Sequence, residues 1–366
     1  MPLQIGQMNR GVGLMNSYIF RISLLIGLAL SSSVFAISFE PNSCNSALAG
    51  VQKPSVLRSL SEIEKLKIVT YNLKDFKVSD SSRVPQGMKD NVPIKAPELI
   101  KKQRDLLKGW DADIYMLEEV FDKESLKVLV PPGYASIFVE GNDWGRHIAF
   151  LVKKDLPLHV SLETHRSETW NNGNETKKLF SRDLPLLFLR TDPSKPPTHI
   201  LIGNHGKSMR GDRATTAELR TAQYERAREI IEDYEKKYPQ AAIIFAGDFN
   251  VDMRRSAKEI EPIEESMVNT FDLKKVPSED RITHVSFYKG KTSQSQLDNF
   301  YVSENMAHQV VSVKVLPYLD EDGNPKDLPE NYKERDENGS DHEAVELVIS
   351  TDDQFNPLKV GLRKVQ

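Results

Sequence analysis

The sequence contains a single cysteine, Cys44, among its 366 residues. One cysteine cannot form an intramolecular disulfide, even in an oxidising compartment, so the hydrophobic core has to stabilise the fold. The residues before it, Pro41-Asn42-Ser43, are not the small apolar residues of a lipoprotein signal. The sequence therefore argues against a disulfide-stabilised fold and against a lipid anchor at this position.

An excess of positive charge is also missing. The chain has 49 Lys and Arg against 53 Asp and Glu, which gives a net charge of −4. Without a basic surplus, a polyanionic substrate must be held by local patches or by metal rather than by bulk charge. The remaining composition, 39% apolar and 28% charged, is that of a soluble globular protein, and the length does not decide the number of domains.

A long apolar run is missing as well. The most apolar stretch, residues 22–30, is too short and too serine-rich near its end to suit a spanning helix. It follows Arg21 and precedes Val34 and Ala36, the small residues that a signal peptidase requires. This pattern predicts a signal peptide at residues 1–36, with an uncleaved membrane anchor as the alternative.

Cleavage of this segment would define the mature chain. Removing residues 1–36 deletes two arginines and no acid, so the net charge changes from −4 to −6. Met15 is an alternative start that would shorten the signal peptide without changing the mature protein. We expect a monomer, periplasmic or extracellular, with no membrane anchor after cleavage.

From residue 66 onward, short apolar runs rich in β-branched residues alternate with helical patterns, which predicts a mixed α/β architecture. We place a linker at residues 37–64, one domain at 65–352 and a tail at 353–366. The predicted strands cover residues 66–71, 113–117, 147–152, 184–189, 199–204, 242–246, 297–302, 310–315 and 344–349.

Two helices are predicted by their apolar spacing. One covers residues 97–110, and Thr215-Thr-Ala-Glu218 predicts a capping box that opens the other, which ends near Tyr234. Asp320-Glu-Asp-Gly323 is predicted to be a solvated turn, because it lacks the spaced ligands and final Glu of an EF-hand. The predicted loops cover residues 77–93, 163–178 and 319–339.

Polar side chains lie just inside or just past several apolar runs, at the ends of predicted strands, where α/β folds build their sites. The set contains carboxylates, amides and two histidines, and it contains no thiol. Such donors suit a hard ion such as Mg²⁺ or Mn²⁺ bound with phosphate, whereas a zinc site would show cysteines or closely spaced histidines. The residues are Asn72, Glu119, His205, Asp248, Asn250, Asp298, Asp341 and His342.

These residues lie in short motifs whose series resembles the endonuclease/exonuclease/phosphatase superfamily, which includes DNase I-like nucleases, abasic-site endonucleases, sphingomyelinases and inositol-phosphate phosphatases. The resemblance spans residues 67–349 and implies an α/β DNase I-like four-layer sandwich of two mixed β-sheets flanked by helices. In the family's order, the motifs are Thr70-Tyr71-Asn72-Leu73, Asp113-Ile114, Leu117-Glu118-Glu119-Val120, Phe180-Ser181-Arg182, Gly203-Asn204-His205, Gly247-Asp248-Phe249-Asn250, Leu297-Asp298-Asn299-Phe300 and Ser340-Asp341-His342.

The resemblance implies that Glu119 is the principal ligand of a divalent ion, Mg²⁺ or Mn²⁺, with Asn72 and Asp341 in or near the same shell. Its neighbour Glu118 stands where the family usually has glutamine. Because adjacent residues of a strand point to opposite faces, only one of the two acids should face the site, and the motif register selects Glu119. Glu118 is then an acid behind the ligands or on the surface.

The resemblance also implies catalytic roles. Asp248 would orient and deprotonate the attacking water, and Asn250 would hold that water or a phosphate oxygen. His342, hydrogen-bonded to Asp298, would donate to the scissile phosphate.

His205 and Arg182 would contact the remaining phosphate oxygens. Taken singly, these motifs have plainer explanations: Gly247-Asp248-Phe249-Asn250 alone would be a turn, and a lone histidine at a strand end is usually structural. The ordered series is what favours a catalytic site.

The segment after the fifth motif bears on the substrate. Asn204-His205-Gly206-Lys207-Ser208 is similar to a pattern of bacterial secreted nucleases in the family, and Arg220 and Gln223 fit the same subgroup. Three basic residues could form a local cationic rim along a nucleic-acid backbone, or simply a solvated loop before a helix. We therefore expect a nuclease acting on DNA or RNA. The rim residues are Lys207, Arg210 and Arg213.

Two other classes of function remain open. A sphingomyelinase-like phospholipase or a phosphatase would share the fold, but a membrane-acting enzyme should show an exposed aromatic or apolar hairpin, and no convincing one is evident in the sequence. An inactive scaffold that binds a partner would be expected to have lost some motif residues, and all of them are present. Fold alone does not fix the substrate.

The signal peptide gives a first testable prediction. Because Val34 and Ala36 end the apolar segment, we expect cleavage after Ala36 and a mature protein that begins at Ile37. Intact-mass measurement of the exported protein checks this. A mature chain that still carries residues 22–36 would indicate a membrane anchor instead.

Overall fold

The computed structural model describes residues 63–80, 91–173, 175–255, 257–320 and 322–351. All of them belong to the same structural unit. The predicted signal peptide, Cys44, the tail at 353–366 and nearly all of the linker at 37–64 lie outside the described residues. The predicted loop at 77–93 is described only in part.

The described chain contains both strands and helices, as the sequence predicts, but they do not strictly alternate, because β3 to β9 follow one another without a helix. No helix within these ranges is both long enough and apolar enough to span a membrane. The strands are β1 (Lys65–Phe76), β2 (Ile114–Val120), β3 (Tyr134–Val139), β4 (His147–Lys153), β5 (His159–Glu163), β6 (Thr169–Asn171), β7 (Thr176–Lys178), β8 (Leu186–Arg190), β9 (His199–His205), β10 (Ala242–Asp248), β11 (Val268–Asn269), β12 (His284–Tyr288), β13 (Lys291–Ser295), β14 (Asp298–Val302), β15 (Val310–Leu316) and β16 (Ala344–Ser350). The helices are α1 (Pro97–Trp110), α2 (Lys123–Leu129), α3 (Arg213–Lys237), α4 (Glu261–Glu264), α5 (Thr270–Leu273) and α6 (Tyr332–Glu337), with 3-10 turns at Lys258–Ile260, Ser278–Arg281 and Glu304–Gln309.

Two six-stranded mixed sheets form the centre of the part that the structure describes. The first has the strand order β15-β16-β1-β2-β4-β3 and the second β11-β14-β10-β9-β8-β5. One central pair in each sheet is parallel, β1 with β2 and β9 with β10, whereas the other pairs are antiparallel. The carboxyl ends of the two parallel pairs meet, since Asn72 of β1 hydrogen-bonds to Asp248 of β10.

Apolar side chains fill three layers. The inner faces of the two sheets pack against each other. Helices α1 and α2 cover the outer face of the first sheet, and α3 and α4 cover that of the second. The result is a sandwich of helix, sheet, sheet and helix, which is the architecture that the motif resemblance implies.

The inner face of each central strand changes from apolar to polar at the strand's end. In β10, the alternating residues 242, 244 and 246 belong to the layer between the sheets, and the same alternation places Asp248 on that face. Strands β1 and β9 follow the same rule, whereas in β14, which runs antiparallel to β10, the polar residue is the first of the strand. The alternation directs Asn72, His205 and Asp298 into the space between the sheets.

The start of α3 differs from the prediction. Asp212 is the N-cap, and its carboxylate accepts hydrogen bonds from the backbone N–H of Thr215 at 2.9 Å and from its hydroxyl at 2.6 Å. The capping box predicted to begin at Thr215 is therefore wrong, because the anionic Asp212 caps the helix one turn earlier. The helix also ends later than expected, at Lys237.

Two of the predicted loops contain secondary structure. Residues 163–178 include the β6–β7 hairpin, and residues 319–339 include α6. Apart from Trp170, which packs against the hydrophobic core, and Tyr332, these short elements consist of polar residues, so they lack the apolar periodicity that predicts strands and helices. The Asp-rich turn is confirmed, with the N–H of Gly323 donating to the backbone oxygen of Asp320.

Gly247, the residue that precedes Asp248 in β10, gives a stability prediction. Its φ is +133°, and an added Cβ would lie 1.9 Å from the backbone oxygen of Asn204. Because backbone cannot rotate aside as a side chain can, we expect Gly247→Ala to lower the free energy of unfolding by about 3 kcal/mol or more. Urea unfolding measures this difference.

Gly109→Ala in α1 is the matched control. Nothing lies within 4 Å of an added Cβ there, and alanine favours helices more than glycine does. This variant should be as stable as the parent or slightly more stable. Equal destabilisation by both substitutions would contradict the steric argument at Gly247.

Candidate active site

The candidate active site lies where the carboxyl ends of β1, β2, β9 and β10 meet. The strand register pairs Asp248 of β10 with His205 of β9 on one side and with Asp298 of β14 on the other. His342 comes just before β16, which is paired with β1 in the first sheet. The site is therefore assembled from both sheets.

Asp298 and His342 form a buried pair across the two sheets. The Nδ1 atom of His342 donates to Oδ2 of Asp298 at 2.8 Å, and both side chains are buried. Burial alone would lower the pKa of His342, but the charge and hydrogen bond of Asp298, with the charges of Asp248 and Asp341, raise that pKa well above its usual value. The ring is thus held as an imidazolium, with its Nε2 3.9 Å from Oδ2 of Asp248.

Asp248 is oriented by three hydrogen bonds. Its Oδ1 accepts from the backbone N–H of Asn250 at 2.7 Å, and its Oδ2 accepts from the side-chain amides of Asn72 and Asn250, each at 3.0 Å. Burial raises the pKa of Asp248 to about 7, against the opposing charge of His342. A carboxylate with a pKa near neutrality is suited to accept a proton at neutral pH.

His205 faces the two acids at the end of β9. Its Nε2 lies 3.6 Å from Oε1 of Glu119 and 3.7 Å from Oδ2 of Asp248. Burial, followed by the positive charges of Arg182 and His342, holds the pKa of His205 well below its usual value. The ring is therefore neutral and offers one N–H to an acceptor in the cleft.

Arg182 is buried beside this histidine rather than extended into the cleft. Its Nε lies 3.1 Å from the carboxylate of Asp143, and its guanidinium donates to the backbone oxygen of Gly206 at 3.3 Å. These contacts support the segment that follows His205. Direct contact between Arg182 and a phosphate stays a prediction.

Glu119 and Glu118 both reach the site, which the alternation argument did not predict. The φ of Glu119 is +58°, and the register of β2 with β4 shifts at this point. The side chain of Glu119 therefore does not follow the alternation of side chains along the strand, and it is 16% exposed. Glu118 keeps the inner-face position and is fully buried.

Glu118 lies behind Asp248 and Asp298. Its Oε1 accepts a hydrogen bond from the hydroxyl of Thr70 at 2.8 Å, while its Oε2 has no hydrogen-bond partner among the described residues. Burial, and then the charge of Asp298, raise the pKa of Glu118 well above its usual value. Burial and the neighbouring carboxylates therefore favour the neutral form of the Glu118 carboxyl group over its charged form.

Two residues beside Glu119, Asp75 and Arg146, were not predicted from the sequence. The Oε2 atom of Glu119 accepts from the backbone N–H of Asp75 at 2.8 Å. Arg146 lies 2.9 Å from the carboxylate of Asp75 and 3.7 Å from Glu119. Arg146 could have been identified in the sequence because it directly precedes β4, the strand paired with β2. Asp75 could have been identified because it lies near the end of β1.

The carboxylates at the mouth of the site fit a hard divalent ion. After burial, the charge of Asp75 is the largest cause that raises the pKa of Glu119, and the charge of Asp341 adds to it. A cation among these groups would relieve that repulsion, and oxygen donors of this kind suit Mg²⁺ and Mn²⁺. The amide of Asn72 accepts from the N–H of Lys74 at 2.9 Å and donates to the catalytic candidate Asp248, so its role as a ligand stays a prediction.

A second set of potential ligands lies beside the imidazolium. Within the described ranges, His284, Asp341 and His342 are the one group of three or more such side chains whose ligand atoms all lie within 4.8 Å of one another. The ring centroids of His284 and His342 are 4.7 Å apart. Because 58 residues separate the two histidines, their spacing along the chain did not indicate this group.

The predicted cationic rim lies at the surface. Arg210 and Arg213 are exposed and Lys207 is partly exposed. Arg220 and Gln223 are buried and do not join the rim. Instead, Arg220 donates to the backbone oxygen of Lys207 at 3.1 Å, and Gln223 accepts from its N–H at 2.9 Å, so both residues position the loop.

The β12–β13 hairpin is a surface feature that the sequence analysis missed. Its base adjoins the site through a β-bridge between His284 and His342. Its tip carries Tyr288, which is 69% exposed, with the ammonium of Lys289 5.2 Å from the ring centroid. Both turn residues, Lys289 and Gly290, have positive φ, as type I′ turns require, but Lys-Gly is a weaker hairpin signal than Asn-Gly.

Comparison with known proteins finds similarity only among solved structures. No protein-family model matches the chain, and no curated protein matches it. The AP endonuclease LMAP from Leishmania major is 16% identical with a TM-score of 0.55, and the match covers 78% of this chain and 88% of that one. Truncated TDP2 from Caenorhabditis elegans is 15% identical, with a TM-score of 0.52 and coverage of 78% and 98%. TDP2 from D. rerio, complexed with single-strand DNA product, is 15% identical, with a TM-score of 0.51 and coverage of 78% and 99%.

These similarities concern the fold. They agree with the two mixed sheets and flanking helices, and they confirm the architecture expected from the ordered motifs. The closer similarity to bacterial secreted nucleases stays a prediction. The chain therefore has the DNase I-like fold of these solved structures.

Proposed function

We propose that this protein is an exported, divalent-metal-dependent phosphodiesterase that hydrolyses nucleic acid. The observation that carries the proposal is the arrangement of Asp248 and His342. Oδ2 of Asp248 lies 3.9 Å from Nε2 of His342, and the first group is suited to accept a proton whereas the second is suited to donate one. One is a carboxylate with a pKa near neutrality, and the other is a histidine whose pKa is raised by Asp298. A base and a proton donor are thus available together at neutral pH.

Each residue would act through the contacts it already makes. Asp248, oriented by Asn72 and Asn250, would accept the proton of the attacking water. His342 would direct its Nε2–H toward a phosphate oxygen, with Asp298 keeping the ring charged and oriented. The neutral His205 would donate its remaining N–H to a second phosphate oxygen as negative charge develops there.

The metal would be held at the mouth of the site. Glu119, with Asp341 and Asn72, would bind Mg²⁺ or Mn²⁺. The ion would neutralise negative charge on the phosphoryl oxygens and lower the pKa of the attacking water. Asp75 would add negative charge behind Glu119, while Arg146 would keep Asp75 from competing for the same position. The Glu118 carboxyl would remain protonated and add no charge.

Two surfaces beside the site favour nucleic acid over a lipid. The rim of Lys207, Arg210 and Arg213 presents three cations to a phosphate backbone. The hairpin tip offers one exposed ring, Tyr288, among lysines, which suits stacking with a base between phosphates. A membrane-inserting hairpin would present a larger apolar area. The D. rerio TDP2 of the same fold is complexed with single-strand DNA product, which supports the same choice.

A phospholipase or small-ester phosphatase is the second candidate. The feature that favours it is the proximity of two exposed rings, Tyr288 of the hairpin and Tyr332 of α6, which are 69% and 53% exposed and together could contact an apolar substrate. Export to the periplasm or the medium, and action as a monomer, are part of the proposal and rest on the sequence pattern alone.

Metal dependence tests the proposed function. We expect EDTA to abolish cleavage of DNA or RNA and Mg²⁺ or Mn²⁺ to restore it. Glu119→Ala should raise the metal concentration that gives half-maximal rate, because a ligand is lost. Asp248→Ala should lower turnover at saturating metal by about 10²-fold or more, because the base is lost. Glu124→Ala, which removes an exposed acid of α2, is the control and should change neither quantity.

Parallel digestion of supercoiled DNA, RNA and a choline phospholipid separates the alternatives. Cleavage of nucleic acid at full rate in EDTA would contradict the metal mechanism. Metal-dependent cleavage of the lipid or of a small ester alone would leave the phosphodiesterase proposal standing and would contradict the nuclease assignment. No cleavage of any substrate by a folded, metal-loaded protein would favour a binding scaffold.

The role of Asp298 gives a separate prediction. Asp298→Asn should keep the fold but lower turnover by about 10²-fold or more, because His342 loses the charge that holds its proton. Since the partner raises the pKa of His342, its loss should also move the alkaline limb of the rate profile to lower pH. Rate measurements across pH check both effects, with the exposed Asp105→Asn in α1 as control. An unchanged rate and profile would remove Asp298 from the mechanism.

A further inference from the structure

The group of His284, Asp341 and His342 differs in chemistry from the carboxylates around Glu119. It offers two imidazole nitrogens and one carboxylate, with all ligand atoms within 4.8 Å of one another. Two His and one carboxylate are a common ligand set of borderline transition ions, whereas Mg²⁺ prefers oxygen donors throughout. The group therefore suits a different ion from the one proposed at Glu119.

Both histidines are oriented as metal ligands usually are. Ring nitrogen Nδ1 of His342 is hydrogen-bonded to Asp298 at 2.8 Å, and Nδ1 of His284 lies 3.2 Å from the hydroxyl of Ser295. Ser295 is the register partner of His284 in the β12–β13 hairpin, so this contact is fixed by the sheet. In each ring the outer partner leaves Nε2 as the nitrogen for an ion, and such partners fix ring orientation in metal sites.

We propose that His284, Asp341 and His342 bind one Zn²⁺ ion, with a fourth position left for water or a phosphate oxygen. Ligand atoms about 2.1 Å from a tetrahedral ion lie about 3.4 Å apart, so side-chain atoms that are now up to 4.8 Å apart need to approach one another by up to about 1.4 Å. Asp341 is partly exposed, and its cationic neighbour, Lys74, lies 3.7 Å from its carboxylate. Small rotations of the carboxylate and of the His284 ring would supply this closure.

The consequence for activity rests on the proposed function. If His342 serves the phosphate through Nε2–H, a zinc ion bound to that nitrogen replaces the proton and removes the donor. The ion also takes Asp341, which is proposed to support the Mg²⁺ shell. Zinc should therefore inhibit the Mg²⁺-dependent reaction, and the hairpin that carries His284 becomes a regulatory element of the site.

Calorimetric titration of the full chain with Zn²⁺ alone tests the site without using activity. We expect one ion per chain, with Mg²⁺ unable to displace it. His284→Phe keeps an aromatic ring against His342 but removes both ring nitrogens, and it should weaken zinc binding at least tenfold. His159→Phe, at an exposed histidine of β5, is the matched control and should bind zinc as the parent does. Co²⁺ in place of Zn²⁺ should give visible absorption bands in the parent and in the control but not in His284→Phe.

Ser295→Ala is a second, milder variant that guards against misfolding. It retains all three ligands and should weaken zinc binding less than His284→Phe does. Thermal unfolding of each variant shows whether it is folded under the conditions of the titration. Equal zinc affinity of the parent and a folded His284→Phe variant, or no zinc binding by the parent, would overturn the proposal.

An activity arm separates this inference from the proposed function. Zinc should inhibit Mg²⁺-dependent cleavage, and inhibition of His284→Phe, measured against its own zinc-free rate, should require at least tenfold more zinc. Zinc binding that depends on His284 in a protein that cleaves no phosphodiester would support the site and contradict the proposed function. Mg²⁺-dependent cleavage with equal zinc inhibition of parent and variant would support the proposed function and contradict the zinc site.

Discussion

The hydrogen bond between Asp298 and His342 joins the two sheets at the point where the chemistry is proposed to occur. Asp298 belongs to β14 of the second sheet, and His342 precedes β16 of the first. The neighbouring contact between Asn72 and Asp248 also crosses the sheets, at 3.0 Å. Because both contacts are buried and polar, the sheets can pack closely there only in the register that satisfies them. The geometry of the site and the alignment of the two sheets therefore depend on each other.

Such a site concentrates negative charge inside the protein. Asp298 and Asp248 raise the pKa of Glu118, Asp298 also raises the pKa of Asp248, and one imidazolium lies among these three carboxyl groups. The arrangement is tolerable because burial favours the neutral form of Glu118 and because His342 is held in its charged form. Toward solvent, the acids around Glu119 are only partly offset by Arg146. An ion at the mouth would complete this balance, which is a physical reason for metal dependence independent of any resemblance.

The sequence predicted the central sheets well because their strands obey a simple alternation that ends in polar residues. Asn72 and Asp248 were identified because each follows an apolar run, and Asp298 because it lies just inside one. Where the backbone leaves regular geometry, alternation alone is not enough: the positive φ of Glu119 lets both acids of the pair lie at the site, with Glu118 behind the other carboxylates. The partnership of His284 with His342 depends on tertiary contact between distant segments and left no local signal. The short polar elements were missed for a related reason, since they bury little apolar surface.

The protonation state of His342 is the property on which the account depends most directly. Long-range ¹H–¹⁵N spectra of the histidine rings, with the His342 signals assigned by a His342→Gln variant, measure it in the metal-free protein. An unperturbed histidine has a pKa of about 6.5 and is mostly neutral at about pH 7. We expect both ring nitrogens of His342 to remain protonated well above that pH, because Asp298 stabilises the imidazolium. A neutral ring at about pH 7 would contradict the proposed proton donor and the account of the site built on it.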